Sequence, residues 1–185
     1  MLSSTEIREA LRDGSVVVQG FEETSLRPSS YLLRLDRQIL EARSGVPTID
    51  TRSSDTSPLF DARVIGEDGF ELEPGRLYLA SSVERIGLSA HTSGMLALLS
   101  SMARAGVSAN FSSTLVSATF GISEPSSVTF EIVNVAPWKI RIYPGAKFCH
   151  LCLFLHGMDA DLVYGGIYGN AHGPLPSNFS KRPSR

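Results

Sequence analysis

The sequence predicts a mainly β protein, an all-β sandwich or jelly roll with one small leading helix. Three observations carry this. Short apolar or alternating runs recur along the chain, Gly, Pro, Asn, Asp and Ser punctuate them, and a helical apolar spacing occurs at the start and then gives way.

Residues 3–13 read as the helix. Ser3 and Glu6 stand at capping-box spacing, Ile7, Ala10 and Leu11 form an apolar stripe, and Gly14 supplies the stop. The strand candidates follow in order as SVVVQGF, SSYLLRLD, GRLYLASSVERIGL, GMLALLS, SSVTFEIVN, KIRIYPGAKFCHLCLFL and ADLVYG. LEPGRLYL and IYPGAKF each place Pro-Gly between two runs, as a type II turn requires: proline presets φ and glycine accepts the positive φ that follows. The last stretch, YGGIYGNAHGPLPSNFSKRPSR, has too little aliphatic content to build core and many glycines. The expected organisation is therefore a β domain over residues 1–163 and a flexible tail or lid over 164–185.

The chain has 185 residues, of which 42% are hydrophobic and 19% charged, enough for one core without disulfides or a structural metal. A net charge of −2 gives no general attraction to a phosphate polymer, so nucleic-acid binding is not expected. No run approaches the roughly 18 apolar residues a membrane span needs, and the opening residues lack an apolar leader, so a cytoplasmic protein with no membrane partner is expected. The only cysteines, Cys149 and Cys152, flank His150 in KFCHLCLFL. No second ligand pair accompanies them, and residues three apart in a strand face opposite sides of the sheet, so they read as packing residues.

Two stretches carry candidate chemistry, LLSSMARAG over residues 98–106 and VTFEIVN over 128–134. Alternation in the second places Val128, Phe130 and Ile132 on one face and Thr129, Glu131 and Val133 on the other. A partly buried glutamate has its pKa raised by desolvation and can carry a proton to and from water near neutrality; one on an open face simply meets solvent. Arg104 offers a planar fork of donors, and Ser100 and Ser101 can donate to a phosphate or hold a water; the plain alternatives are a surface arginine and turn or edge-strand serines. There is no zinc-deaminase signature, no phosphate loop, no nucleophile elbow and no dinucleotide fingerprint.

The order of segments resembles the dCTP deaminase branch of the dCTP deaminase and dUTPase superfamily. LSSTEIREALRDGSVVV is similar to that family's opening helix and strand, and LRPSSYLLRL to its Pro-Ser-Ser-Tyr-Asp-Leu-Arg-Leu segment. FELEPGRLYLASSVERIGL matches its Pro-Gly hairpin, and LLSSMARAG stands where it has Gly-Arg-Ser-Ser-Leu-Ala-Arg-Leu-Gly. VTFEIVN stands at Thr-Leu-Glu-Leu-x-Asn, IYPGAKFCHLCLF at a Pro-Gly strand pair, and YGGIYGNAHGP at the closing Tyr-x-Gly-Lys-Tyr-x-Gly-Gln-x-Gly-Pro.

The resemblance implies a distorted jelly roll of the dUTPase-like type, assembled as a homotrimer with sites at subunit interfaces and a tail that folds over bound nucleotide. It implies metal-free deamination of a cytosine ring, with Glu131 activating water and Ser100 and Arg104 assisting. No cofactor is required for that chemistry, and any Mg²⁺ would arrive on a nucleotide substrate's phosphates. Ser101, Thr129 and Phe130 are expected at the substrate, Ser117 and Ala118 at the family's Thr-Ala, and Tyr164 and Tyr168 in the lid. The family's sugar-contacting aspartate corresponds to Gly121 or, with a shorter hairpin, to Glu124 before Pro125.

The chain departs from the pattern on the phosphate side. Leu98 and Leu99 replace the Gly-Arg before the serines, Ile167 replaces the closing lysine, and Ala171 the glutamine. Charge-assisted bonds are worth about 1.5–3 kcal/mol each, so losing an arginine and a lysine removes about 3–6 kcal/mol of phosphate affinity. The expected function is a deaminase-like hydrolase acting on a cytosine nucleotide, nucleoside or related metabolite other than dCTP itself. Two alternatives stay open: a non-catalytic nucleotide-binding or structural trimer, and a repurposed scaffold with different chemistry.

Overall fold

In the computed structural model, which describes residues 1–45, 48–110 and 113–181, two long strands organise everything else. In chain order the elements are α1 (Ser4–Asp13), β1 (Val16–Gln19), β2 (Leu26–Arg27), β3 (Ser30–Ala42), β4 (Phe60–Val64), β5 (Phe70–Leu72), β6 (Leu77–Leu88) and β7 (Thr92–Leu98). After these come α2 (Ser100–Ala105), β8 (Val107–Ala109), β9 (Leu115–Val116), β10 (Ser126–Asn134), β11 (Ile140–Ile142) and β12 (Lys147–Leu155). The main sheet runs β8-β10-β6-β3-β12-β7-β9, with β1 on β6 and β2 and β4 on β3, and every pairing is antiparallel; β11 and β5 form a separate pair.

β3 and β6 are long enough to belong to both layers. The first half of β3 pairs with β12, and the second half crosses to β6 and β4. β6 pairs with β3 through its first half, with β1 through its last four residues, and with β10 along both. The sheet therefore curls on itself and encloses Tyr31, Leu35, Tyr78, Phe130, Phe148 and Leu151. This is the mainly β architecture with a short leading helix that the sequence predicts.

α1 begins and ends where its residues say. The Ser3 hydroxyl accepts from the Glu6 N–H, the Glu6 carboxylate accepts from the Ser3 N–H at 2.7 Å, and Gly14 closes the helix with φ +80°. Ile7 and Ala10 face the core. The Pro-Gly turns lead from β5 to β6 and from β11 to β12, with Gly75 and Gly145 both at φ +72°.

Two expectations are corrected. ADLVYG is not a strand: Leu162 is 78% exposed and Val163 74%, and residues 160–165 find no sheet edge to pair with. An apolar run forms a strand only where a ladder partner is available. Ser100 and Ser101 are neither in a turn nor on an edge strand but open α2, a single short helix closed by Gly106 at φ +100°. Cys149 and Cys152 do face opposite sides of β12. Cys149 is buried, and burial pushes its thiol up to about 12.

The break in the sheet is held by a buried ion pair. Between Ser127 and Thr129 the register of β10 on β6 shifts, and Ser82, Val83 and Glu84 of β6 stand against the single Val128. Glu84 is fully buried. Its carboxylate accepts from the Arg34 backbone N–H at 2.8 Å and from Arg34 Nε at 2.7 Å. The Ser82 hydroxyl donates to the Glu84 carbonyl at 2.6 Å and accepts from the Val128 N–H at 2.9 Å. Arg34→Ala is expected to cost about 3–5 kcal/mol in urea unfolding because it strands a buried carboxylate, whereas the double change Arg34→Met with Glu84→Gln, which removes both charges and keeps an oxygen for the residue 34 N–H, recovers most of that loss. Equal losses in both would show that the pair's charge is not what matters.

Candidate active site

The site grows from β10. Strand alternation sends Phe130 and Ile132 into the core and turns Thr129 and Glu131 outward. That outward face does not meet open solvent. The stretch from 113 to 120 and the closing segment from Tyr164 to Ser177 pass over it, leaving a cleft of about 350 Å³. Glu131, Thr129, Ser127 and Val128 form one wall, Ser117 and Phe120 another, and Tyr164, Tyr168 and Leu175 the roof, with Leu79 and Leu96 among the apolar lining.

Backbone bonds hold the roof. Ser127 N–H donates to the Ala171 carbonyl at 2.9 Å, Ala171 N–H to the Ser126 hydroxyl at 2.7 Å, and Leu175 N–H to the Thr129 hydroxyl at 3.2 Å. Thr56 takes the Ser177 carbonyl with both its N–H and its hydroxyl. Thr119, a β-branched residue at φ +63°, accepts the Tyr164 N–H through its hydroxyl, and the Tyr164 ring meets Phe120 edge-on at 5.5 Å. Segment 164–181 is thus laid across the cleft of its own chain.

Glu131 is the acidic group of the cleft. Burial raises its carboxyl above the ordinary range; its own backbone N–H and the Asn110 side chain pull the other way. Asn110 Nδ2 donates to Glu131 Oε2 at 3.2 Å. Burial also raises the Tyr164 phenol. No Lys, Arg or His lines the cleft among the described residues. The arrangement holds a carboxyl of raised proton affinity in a recess lined by apolar side chains and hydroxyls.

Of the residues singled out in the sequence, Glu131, Thr129, Ser117, Tyr164 and Tyr168 meet in this cleft. Ser100, Ser101 and Arg104 do not: all three are exposed on α2, outside the lining, and bond to nothing through their side chains among the described residues. Phe130 faces away from the cleft, fully buried against Phe148 with ring centroids 5.1 Å apart. Ala118 is half-buried in the stretch after β9 and is not among the lining residues. Glu124 is exposed outside the lining and pairs with Arg85 at 2.8 Å and with His172 at 3.1 Å, an arrangement that lowers its pKa chiefly through the Arg85 bond. Gly121 can carry no acid, because a Cβ there would lie 2.1 Å from the Ile86 carbonyl oxygen. Ala171 is buried and serves through its backbone.

Sequence reading missed Asn110, Phe120 and the serines at 127 and 177. Asn110 follows the short strand β8 with no periodic signal; a left-handed backbone is its only mark, and that is not visible in the residue string.

Comparison with known proteins is consistent across the chain. The family described as dCTP deaminase-like matches residues 1–156. Among curated proteins, the dCTP deaminase, dUMP-forming, of Acidothermus cellulolyticus is 34% identical over 96% of this chain and 94% of its own length. The protein of the same name from Corynebacterium glutamicum is 31% identical over 96% and 95%. Among solved structures, the 2'-deoxycytidine 5'-triphosphate deaminase of Agrobacterium tumefaciens superposes with a TM-score of 0.65 at 19% identity. That likeness covers 84% of this chain and 47% of the longer one.

A glutamate whose folded pKa lies above its unfolded value binds its proton more tightly in the folded state. Its contribution to stability is present at acid pH and is lost as pH rises from the unfolded value of about 4.3 through the raised folded one. Glu131→Gln is therefore expected to melt higher than wild type at pH 7–8, with the difference vanishing below about pH 4. A lower melting temperature for the variant at neutral pH would show that the carboxylate is not held at a cost.

Proposed function

The chain belongs to the dCTP deaminase-like family, and on that footing we propose that it is a hydrolytic deaminase acting on a cytosine nucleotide, nucleoside or related metabolite, with Glu131 moving the proton. The observation that carries this reading is Glu131 itself, a carboxyl of raised proton affinity on the wall of a desolvated cleft. Water gives a proton to the Glu131 carboxylate as its oxygen adds to the ring carbon bearing the amino group. The proton then passes to the amino nitrogen, the C–N bond breaks with its electron pair on nitrogen, and ammonia leaves. A carboxyl whose proton affinity is raised by burial serves both halves of this exchange.

Thr129, Ser117, Tyr164 and Tyr168 surround the ring and sugar in this reading. Ser100, Ser101 and Arg104 serve the cleft of a neighbouring copy in a homotrimer. Their exposure on α2 and the lack of side-chain partners among the described residues support this assignment. Arg104 supplies a fixed positive charge and Ser100 a hydroxyl for the reacting water or the developing negative charge. Among the described residues no group of three or more His, Cys, Asp or Glu is placed to hold a metal, and any divalent cation enters here as part of a nucleotide substrate.

The substrate we assign carries fewer phosphates than dCTP. The described lining has no cation, Leu99 and Ile167 stand where the family pattern has arginine and lysine, Leu98 where it has glycine, and Ala171 where it has the glutamine that reaches the substrate. The same aliphatic positions favour one second reading, a trimer that binds nucleotide without turning it over.

Ammonia release should be measured with dCTP, dCMP, deoxycytidine, the cytidine nucleotides and cytosine, each with and without Mg²⁺. Activity is expected on a low-phosphate compound, and Glu131→Gln should lower turnover about 10²–10⁴-fold while the protein stays folded. Turnover confined to dCTP would overturn the substrate class. Silence on every compound, with nucleotide binding seen by calorimetry, would replace deamination by the second reading.

A further inference from the structure

Asn110 stands where the β8–β10 ladder ends. Ala109 pairs with Ile132, and one residue on the Asn110 N–H still donates to the Glu131 carbonyl at 2.9 Å. There the backbone turns left-handed, φ +52°, a conformation that asparagine tolerates better than most side chains. The turn lays the side chain along β10, with Nδ2 at 3.2 Å from Glu131 Oε2 and 3.4 Å from the Thr129 carbonyl. The residue is 4% exposed, and its Oδ1 is buried with no partner among the described residues. Buried acceptors left unpaired are rare in folded proteins and call for an explanation.

We propose that Asn110 is a positioning residue for Glu131, its NH₂ holding the carboxylate and its carbonyl oxygen receiving the O–H when Glu131 carries the proton. The inference rests on the role given to Glu131 above. An amide has a donor and an acceptor on one planar head, and the torsion that exchanges them is broad and nearly two-fold. Ionised Glu131 needs a donor, which Nδ2 supplies; protonated Glu131 needs an acceptor, and a turn of the amide brings Oδ1 to it. Asn110 itself neither gains nor loses a proton, so the proton taken from water stays on Glu131 until the leaving nitrogen takes it. The other titratable groups lining the cleft are Tyr164 and Tyr168, with no Lys, Arg or His among the described residues to do this work. A merely structural Asn110, ending β8 and nothing more, would affect stability and leave the titration of Glu131 alone.

The test needs no substrate. The Glu131 carboxyl is followed by NMR in protein carrying ¹³C-labelled glutamate, its signal assigned by loss in Glu131→Gln, across a pH titration of wild type, Asn110→Gly and Asn110→Asp. Glycine keeps the left-handed backbone, and aspartate keeps the shape while exchanging the donor for a second acid. The bond to the carboxylate is charge-assisted and about twice as strong as the neutral bond to the protonated form, so losing both raises the Glu131 midpoint, by about half to one pH unit in Asn110→Gly and by more than about one unit in Asn110→Asp, where two coupled acids titrate in two steps. Reduced melting temperatures in both variants with an unmoved Glu131 midpoint would overturn the proposal. Silence of the wild type in the ammonia assay would sink deamination and leave this result standing. Where wild type turns over, Asn110→Gly should lower kcat about 10–100-fold with KM within about twofold, and its acid limb should move with the NMR midpoint. A change confined to KM would overturn the positioning role.

Discussion

The structure turns on a carboxylate that replaces a missing rung of the sheet. Where β3 leaves β12 and joins β6, the Arg34 N–H finds its acceptor in the Glu84 side chain instead of a ladder carbonyl. The guanidinium of the same residue closes the pair, and its Nη2 ties back to the Gly20 carbonyl at 2.9 Å. A backbone donor and a buried charge, each costly alone, satisfy one another. Because the break is satisfied, β6 can carry two extra residues against β10 between Ser127 and Thr129. Ser127, Val128 and Thr129, the residues at that shift, line the cleft together with Glu131. The candidate site is therefore a consequence of how the sheet corner is repaired.

Over that wall the closing segment is fastened by main-chain groups and small hydroxyls. Ser126, Thr129, Thr119 and Thr56 each bond to its backbone, and the segment's own side chains contribute few anchors. This explains why alanine at 171 is compatible with a covered cleft: its role is spoken by its N–H and carbonyl. It also separates covering from recognition. A segment docked through its backbone can exchange its side chains and still cover.

Glu131 states the cost of such a site. A carboxyl is kept in an apolar recess, its charged form opposed by burial and supported by one amide. Proteins do not hold acids this way for stability, since an exposed glutamate would be cheaper. The left-handed Asn110 bonds the Glu131 carboxylate and the left-handed Thr119 bonds the Tyr164 N–H, so backbone strain is found at residues that hold the cleft's own groups.

The sequence alone determined the elements whose cause is local. The α1 capping box, the two Pro-Gly turns, the alternation of β10 and the order of the strand runs are all properties of a few adjacent residues, and α1, the turns and β10 formed where those residues stand. It also marked Glu131, because a charged residue in an apolar alternation is visible in the string. The tertiary structure alone decided the rest. ADLVYG had strand-like residues and no edge to pair with; Glu84 looked like any charged strand residue until Arg34 was brought to it across 50 positions. Asn110 became a partner of Glu131 only when β8 was laid against β10 and its backbone took a sign of φ that no neighbouring residue announces. Local patterns are written in spacing, whereas desolvation and long-range pairing exist only after the sheet has curled and placed distant residues in one low-dielectric space.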